Sequence, residues 1–123
     1  MVDVHFQVTS NVLYAAAGVY AVIRGQDPIL AGLIFAVTIA SITYHVHIGD
    51  YSTRMESHSY YIDVTVAIAL FFYCVVRHYT VWAIAPAVAM LALLTRQPKT
   101  TEEYNRVHPW AHVCGGVALL ACV

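Results

Sequence analysis

Five apolar runs, divided only by short polar punctuation, dictate what this chain can fold into. They extend from about Val8 to Ile23, from Pro28 to about His47, from near Tyr60 to Arg77, from about Tyr79 to Thr95, and from about His108 to Val123. Gly25 and Pro28 mark a turn between the first two. A helix of roughly 16 to 20 residues reaches about 24 to 30 Å, the short end of what crosses a bilayer. A thin membrane or a small tilt follows. Pro86 falls in the middle of the fourth run, where a bundle tolerates a kink. The few residues around Arg77 and His78 imply that the third and fourth runs form an antiparallel hairpin.

Composition excludes the soluble alternative. The 123 residues are 60% hydrophobic and 11% charged, whereas a soluble domain carries roughly 25% charged residues. A core this small cannot hide so much apolar surface from water, so lipid must cover the rest. The expected fold is an all-α membrane protein, a compact bundle of about five transmembrane helices forming a single domain over residues 1–123. Neither a repeat nor a linker divides it. Net charge is −1 and the six Lys and Arg are scattered, which gives nucleic acid nothing to bind. Cys74, Cys114 and Cys122 lie in apolar runs without a CxxC pair and read as buried reduced thiols. The opening MVDVHFQVTSN lacks a basic n-region and a small-residue cleavage site, so no removed signal peptide is expected.

With five spans, the N-terminus and the loops 48–59 and 96–107 share one side and carry Arg54, Arg96, Lys99 and Arg106; Arg24 and Arg77 lie opposite. The positive-inside rule then places the N-terminus in the cytosol.

The polar residues inside the runs fall on that same side. Ser41 and His45 are four apart near the end of the second run, Asp63 lies near the start of the third, and His108 and His112 are four apart at the head of the fifth. Residues four apart share a helical face, so all five can converge just inside one leaflet. Ionisable groups at such depth are expensive unless paired, and by default mark a functional site. Three neutral imidazoles and a water make a tetrahedral zinc centre with an open position. His47 lies on nearly the opposite face from His45 and is the substitute ligand if that helix is rotated. His5 and His58 sit in polar, solvent-facing segments; His78 is on the far side. Most of the Tyr residues cluster toward the ends of the runs, as an interfacial belt does.

These motifs, SITYH (Ser41, His45), then Asp63, then HPWAH (His108, His112), resemble the CREST superfamily of transmembrane hydrolases. It includes alkaline ceramidases, the adiponectin and progestin receptor family, GPI-remodelling lipases and myomaker-like proteins. The resemblance covers about residues 30–123 and rests on five positions. It implies a Zn2+ held by His45, His108 and His112, a water near Ser41 and Asp63, and hydrolysis of an amide or ester in a membrane lipid. Asp63 would orient or deprotonate the water and Ser41 would hydrogen-bond the water or the oxyanion. The family usually has seven spans, with three between the Asp-bearing and HxxxH helices; here there is one. Losing two helices preserves the up-down parity but removes part of the wall around a lipid chain. A homo-oligomer could supply that wall, or the chain could lie open to the bilayer.

Other functional classes use similar residues. A haem-binding electron carrier would take two axial histidines from different helices, such as His45 and His112. An ion channel or transporter could use the cluster as an ion site, although no polar face continues to the other side. A silent relative would bind metal for folding alone.

Overall fold

The computed structural model describes residues 3–48, 50–96 and 98–123, and they fold into helices without a strand among the described residues. Helix α1 spans Val4–Thr9, α2 Val12–Ile23, α3 Pro28–His47, α4 His58–Arg77, α5 Ile84–Thr95 and α6 Thr101–Cys122. A 3₁₀ segment over Tyr51–Glu56, termed the strap below, joins α3 to α4, and a 3₁₀ turn over Val81–Ala83 leads into α5. The all-α bundle is therefore observed. Three rods, Val4–Ile23, Pro28–His47 and His58–Arg77, are long and apolar enough to cross a membrane, each with 20 residues. The rod Val81–Thr95 is apolar but shorter, and α6 opens on a polar turn carrying Glu102 and Glu103.

Local chemistry sets the boundaries. Helix α2 ends in a Schellman motif: Gly25 takes φ 64°, its N–H bonds the Val22 carbonyl at 3.0 Å, and the Gln26 N–H bonds the Ala21 carbonyl at 2.9 Å. Two residues on, Asp27 caps α3 by accepting the Leu30 N–H at 2.8 Å, and Pro28 occupies the first turn where its missing N–H is not needed. Helix α6 starts seven residues before the HxxxH motif because Thr100 caps it, accepting from the Glu103 N–H at 3.1 Å. The spacing Thr100-x-x-Glu103 is a capping-box pattern, although here Glu103 turns to the Lys99 N–H at 3.1 Å. The expected start near His108 was too late, since hydropathy ignores polar first turns. Pro86 is the third residue of α5 and not its midpoint, so it belongs to the first turn, where it removes no helical hydrogen bond.

The first rod begins earlier than Val8 and breaks at Ser10 and Asn11. Three consecutive polar side chains divert the backbone there. Thr9 Oγ1 donates to the His5 carbonyl at 2.7 Å, and Ser10 Oγ and Asn11 Nδ2 both donate to the Gln7 carbonyl at 2.9 Å.

Neighbouring rods follow the order α4, α3, α2, α6, α5, with α1 wedged against α3 and α6. Contrary to the expected hairpin, α4 and α5 form no substantial interface among the described residues, although only His78–Thr80 join α4 to the turn before α5. In lipid an apolar face gains little by choosing a protein neighbour over acyl chains, so specific contacts decide. Asp27 supplies one such contact for α4: its carboxylate accepts from the Tyr73 hydroxyl at 2.9 Å and meets His78 Nε2 at 2.6 Å. Gly115 and Gly116 supply another for α6. A Cβ on Gly115 would meet Tyr14 Oη and Met90 Sδ, and one on Gly116 would meet Leu13 Cβ, so the glycines let α2 and α5 close on α6.

Between the two ends, Ala17, Ala21, Leu30, Ile34 and Leu119 fill the interior. The N-terminus, the strap and the start of α6 meet at one end, where the Asp3 N–H donates to Asn105 Oδ1 at 2.8 Å and Thr101 Oγ1 donates to Asp50 at 2.8 Å.

Candidate metal centre

Helix α3 delivers His45 and helix α6 delivers His108 and His112 to one point at that end. Their ligand nitrogens all lie within 4.8 Å of one another. His45 and His112 are buried and His108 is half-buried. His45 Nε2 stands 3.3 Å from His112 Nε2. Nitrogens bound to one tetrahedral zinc at about 2.0–2.1 Å are about 3.4 Å apart, so this pair already spans one edge of such a tetrahedron.

Hydrogen bonds on the far side of the rings decide which nitrogens face inward. Ser10 Oγ lies 2.8 Å from His112 Nδ1. Its own proton goes to the Gln7 carbonyl, so toward His112 the hydroxyl accepts, and Nδ1 carries the hydrogen. Asn11 Nδ2, which gives one of its two hydrogens to the Gln7 carbonyl, makes a longer contact of 3.3 Å with the same ring nitrogen. The Nε2 lone pair of His112 is thereby turned to the cluster. On the other ligand, His45 Nδ1 faces Tyr104 Oη at 3.4 Å, and the Tyr104 hydroxyl pairs with that of Tyr44. Lone pairs that converge at 3.3 Å repel unless a cation or a proton lies between them. The donor set and its outer supports therefore fit a divalent ion of zinc's preferences.

The other two expected residues sit nearby in different ways. Ser41 is buried one turn before His45 on the same face of α3. Asp63 is half-buried on α4, within Coulombic reach of Tyr14, Tyr44 and Tyr104, all three of which border the histidines: Tyr14 packs edge-on to His112 at 6.1 Å, Tyr44 lies 4.8 Å from the His45 ring and Tyr104 stacks on His108 at 4.5 Å. Among the described residues its carboxylate has no hydrogen-bond or ion-pair partner, which leaves both oxygens available. Of the remaining histidines, His5, His47 and His58 are exposed, His47 Nδ1 bonding back to the Thr43 carbonyl at 2.7 Å, and His78 is held by Asp27 at the opposite end.

Sequence reasoning missed the outer supports. Fully buried Gln7 lay just before the first apolar run, and Ser10 and Asn11 just inside it, where none of them was singled out. The available signal was their spacing: positions 7, 10, 11 and 14 form one helical stripe of polar-capable residues at the entrance of an apolar run. Tyr104 was missed for the same reason as the start of α6, since it lies exactly one turn before His108 in a stretch taken as loop; only 2% of it is exposed. No family model, no curated protein and no solved structure matches the chain.

Proposed function

We propose that this protein is an integral-membrane zinc-dependent hydrolase that cleaves an amide or ester bond in a membrane lipid. One observation carries the reading: three imidazoles from two helices converge within the apolar part of the bundle, with an inter-nitrogen distance that matches a tetrahedral edge. His45, His108 and His112 would hold the ion, and a zinc ion there would supply a bound water acidified to a pKa of about 7. Ser10 and Tyr104 hold the imidazoles in the tautomer that can ligate. Asp63, without a protein partner among the described residues, is the acceptor for the proton of the attacking water. Ser41 Oγ donates a hydrogen bond to the oxygen that gains charge. The order Ser41, His45, Asp63, His108, His112 is that of the CREST hydrolases, which this chain resembles at those positions. The unpacked flank between α4 and α5 corresponds to the family's two additional helices, and there the lipid's acyl chain lies against the bundle or a second subunit covers it.

Haem ligation fits less well. Axial imidazoles face each other across a flat macrocycle, whereas the His45 and His112 rings are inclined at 58° and share their meeting point with His108. Ion transport fits less well too, because Ala17, Ala21, Leu30 and Ile34 separate this cluster from the polar groups at the other end.

The test is metal content together with fatty-acid release from N-acyl and O-acyl lipids by purified protein. About one zinc per chain and release that stops in His112→Ala are expected. A protein purified without chelators that carries no zinc, or whose release survives His112→Ala, overturns the reading.

A further inference from the structure

Above the metal ligands a column of stacked groups leads out to the polar end. The Tyr104 ring stacks on His108 at 4.5 Å and 27°. Tyr51 of the strap stacks on Tyr104 at 4.4 Å and 29°. The Arg54 guanidinium carbon lies 3.9 Å over the Tyr51 ring. Arg54 Nη1 also donates to the Tyr51 carbonyl at 3.0 Å, which holds the side chain over the Tyr51 ring. That bond uses one of five N–H donors. Among the described residues no carboxylate pairs with Arg54, although the same end of the molecule carries Asp50 and Glu103, and these are engaged by Thr101 and Arg96 respectively.

The strap that carries this cation connects two membrane-crossing rods and packs on α4 and α6, so it lies where lipid headgroups lie. An unpaired, preorganised guanidinium presents a planar fork suited to phosphate oxygens. We infer that Arg54, stacked on Tyr51, is the specificity-determining residue for a phosphate-bearing lipid, whose scissile acyl bond then reaches the His45–His108–His112 cluster. This inference rests on the hydrolase reading and narrows it: neutral acyl lipids are poor ligands and lipids with a phosphate headgroup are the preferred class. Arg54 touches the headgroup and not the reacting bond. Tyr51 and Tyr104 transmit its position to His108, so the column sets how far the phosphate stands from the metal ligands.

Binding decides this without turnover. Zinc-supplemented protein in detergent is titrated with short-chain phosphatidic acid and with diacylglycerol of the same chains, followed by native mass spectrometry. The expected preference for phosphatidic acid is about ten-fold, the scale of one charge-assisted bidentate contact. Arg54→Gln should abolish it and Arg54→Lys should restore part of it. A simple membrane anchor would lower binding of both lipids together. Equal binding of the two lipids by the unmodified protein, or a preference that survives Arg54→Gln, overturns the inference. Inorganic phosphate that binds as tightly as the lipid assigns Arg54 to a soluble ligand and overturns it as well. His112→Ala separates the two readings: it should lose zinc and hydrolysis yet keep the headgroup preference. If unmodified protein shows the preference but holds no zinc, the hydrolase reading fails while the phosphate site stands.

Discussion

Ser10 Oγ and His112 Nδ1 meet at 2.8 Å although 102 positions separate them in the sequence, and both are buried. This single hydrogen bond joins the first rod to the last and settles the ring orientation of a candidate metal ligand. The hydroxyl can accept from the ring only because its own proton is given to the Gln7 carbonyl, so the break between α1 and α2 is part of the site's construction.

Ser10→Ala should therefore weaken metal binding without unfolding the bundle. Loss of a support of this kind lowers affinity by about 10- to 100-fold. Competition with a zinc chelator measures it, and helicity by circular dichroism should stay unchanged. Affinity equal to that of the unmodified protein would show that Ser10 does not orient His112.

Asp63→Asn and Ser41→Ala should retain zinc, since neither supplies a ligand nitrogen, and Asp63→Asn should lower turnover by about 10²- to 10⁴-fold. Each of His45→Ala, His108→Ala and His112→Ala should lose the metal. Elemental analysis of the five variants separates the two groups, and full turnover by Asp63→Asn would remove the proton-acceptor role.

Gly116→Ala should destabilise the fold by about 1–3 kcal/mol, because the added Cβ meets Leu13 Cβ and lies 3.4 Å from the Leu13 carbonyl carbon, neither of which is the far end of a flexible chain. Gly32→Ala is the control: among the described residues nothing lies within 4 Å of a Cβ there, and alanine favours a helix interior. Detergent unfolding curves of the two variants should shift in opposite directions or differ clearly in midpoint.

Acid should loosen the end opposite the His45–His108–His112 cluster. The Leu30 N–H, with His78 and Tyr73 adding to it against the opposing effect of burial, holds the Asp27 carboxyl down to about 2. A carboxylate whose folded value lies below its unfolded one, about 3.9, contributes stability above the unfolded value and loses it as pH falls through the folded one. The link between α3 and α4 should thus weaken between about pH 4 and pH 2. Asp27→Asn should flatten that part of the stability profile, and an unchanged acid limb would assign the loss to other carboxylates.

What could be read directly was local. Gly25, Asp27 and Pro28 carry the Schellman turn, the cap and the first helical residue of α3 in three nearly adjacent letters, so the start of that span needed no tertiary information. The His pair at 108 and 112 shares a face by helical period alone. The Thr100-x-x-Glu103 start of α6 was equally local, but a reading led by hydropathy passes over a polar first turn.

Apolar length and helical period determined the all-α bundle and put Ser41, His45, Asp63, His108 and His112 within reach of one depth, because both depend only on residues a few positions apart. Only the tertiary structure decided that α4 turns away from α5, that Ser10 reaches His112, and that Arg54, Tyr51 and Tyr104 stack above His108. In a membrane, lipid satisfies any apolar face equally well, so the choice of neighbours passes to a few hydrogen bonds, glycine contacts and ring stacks between residues far apart in the chain.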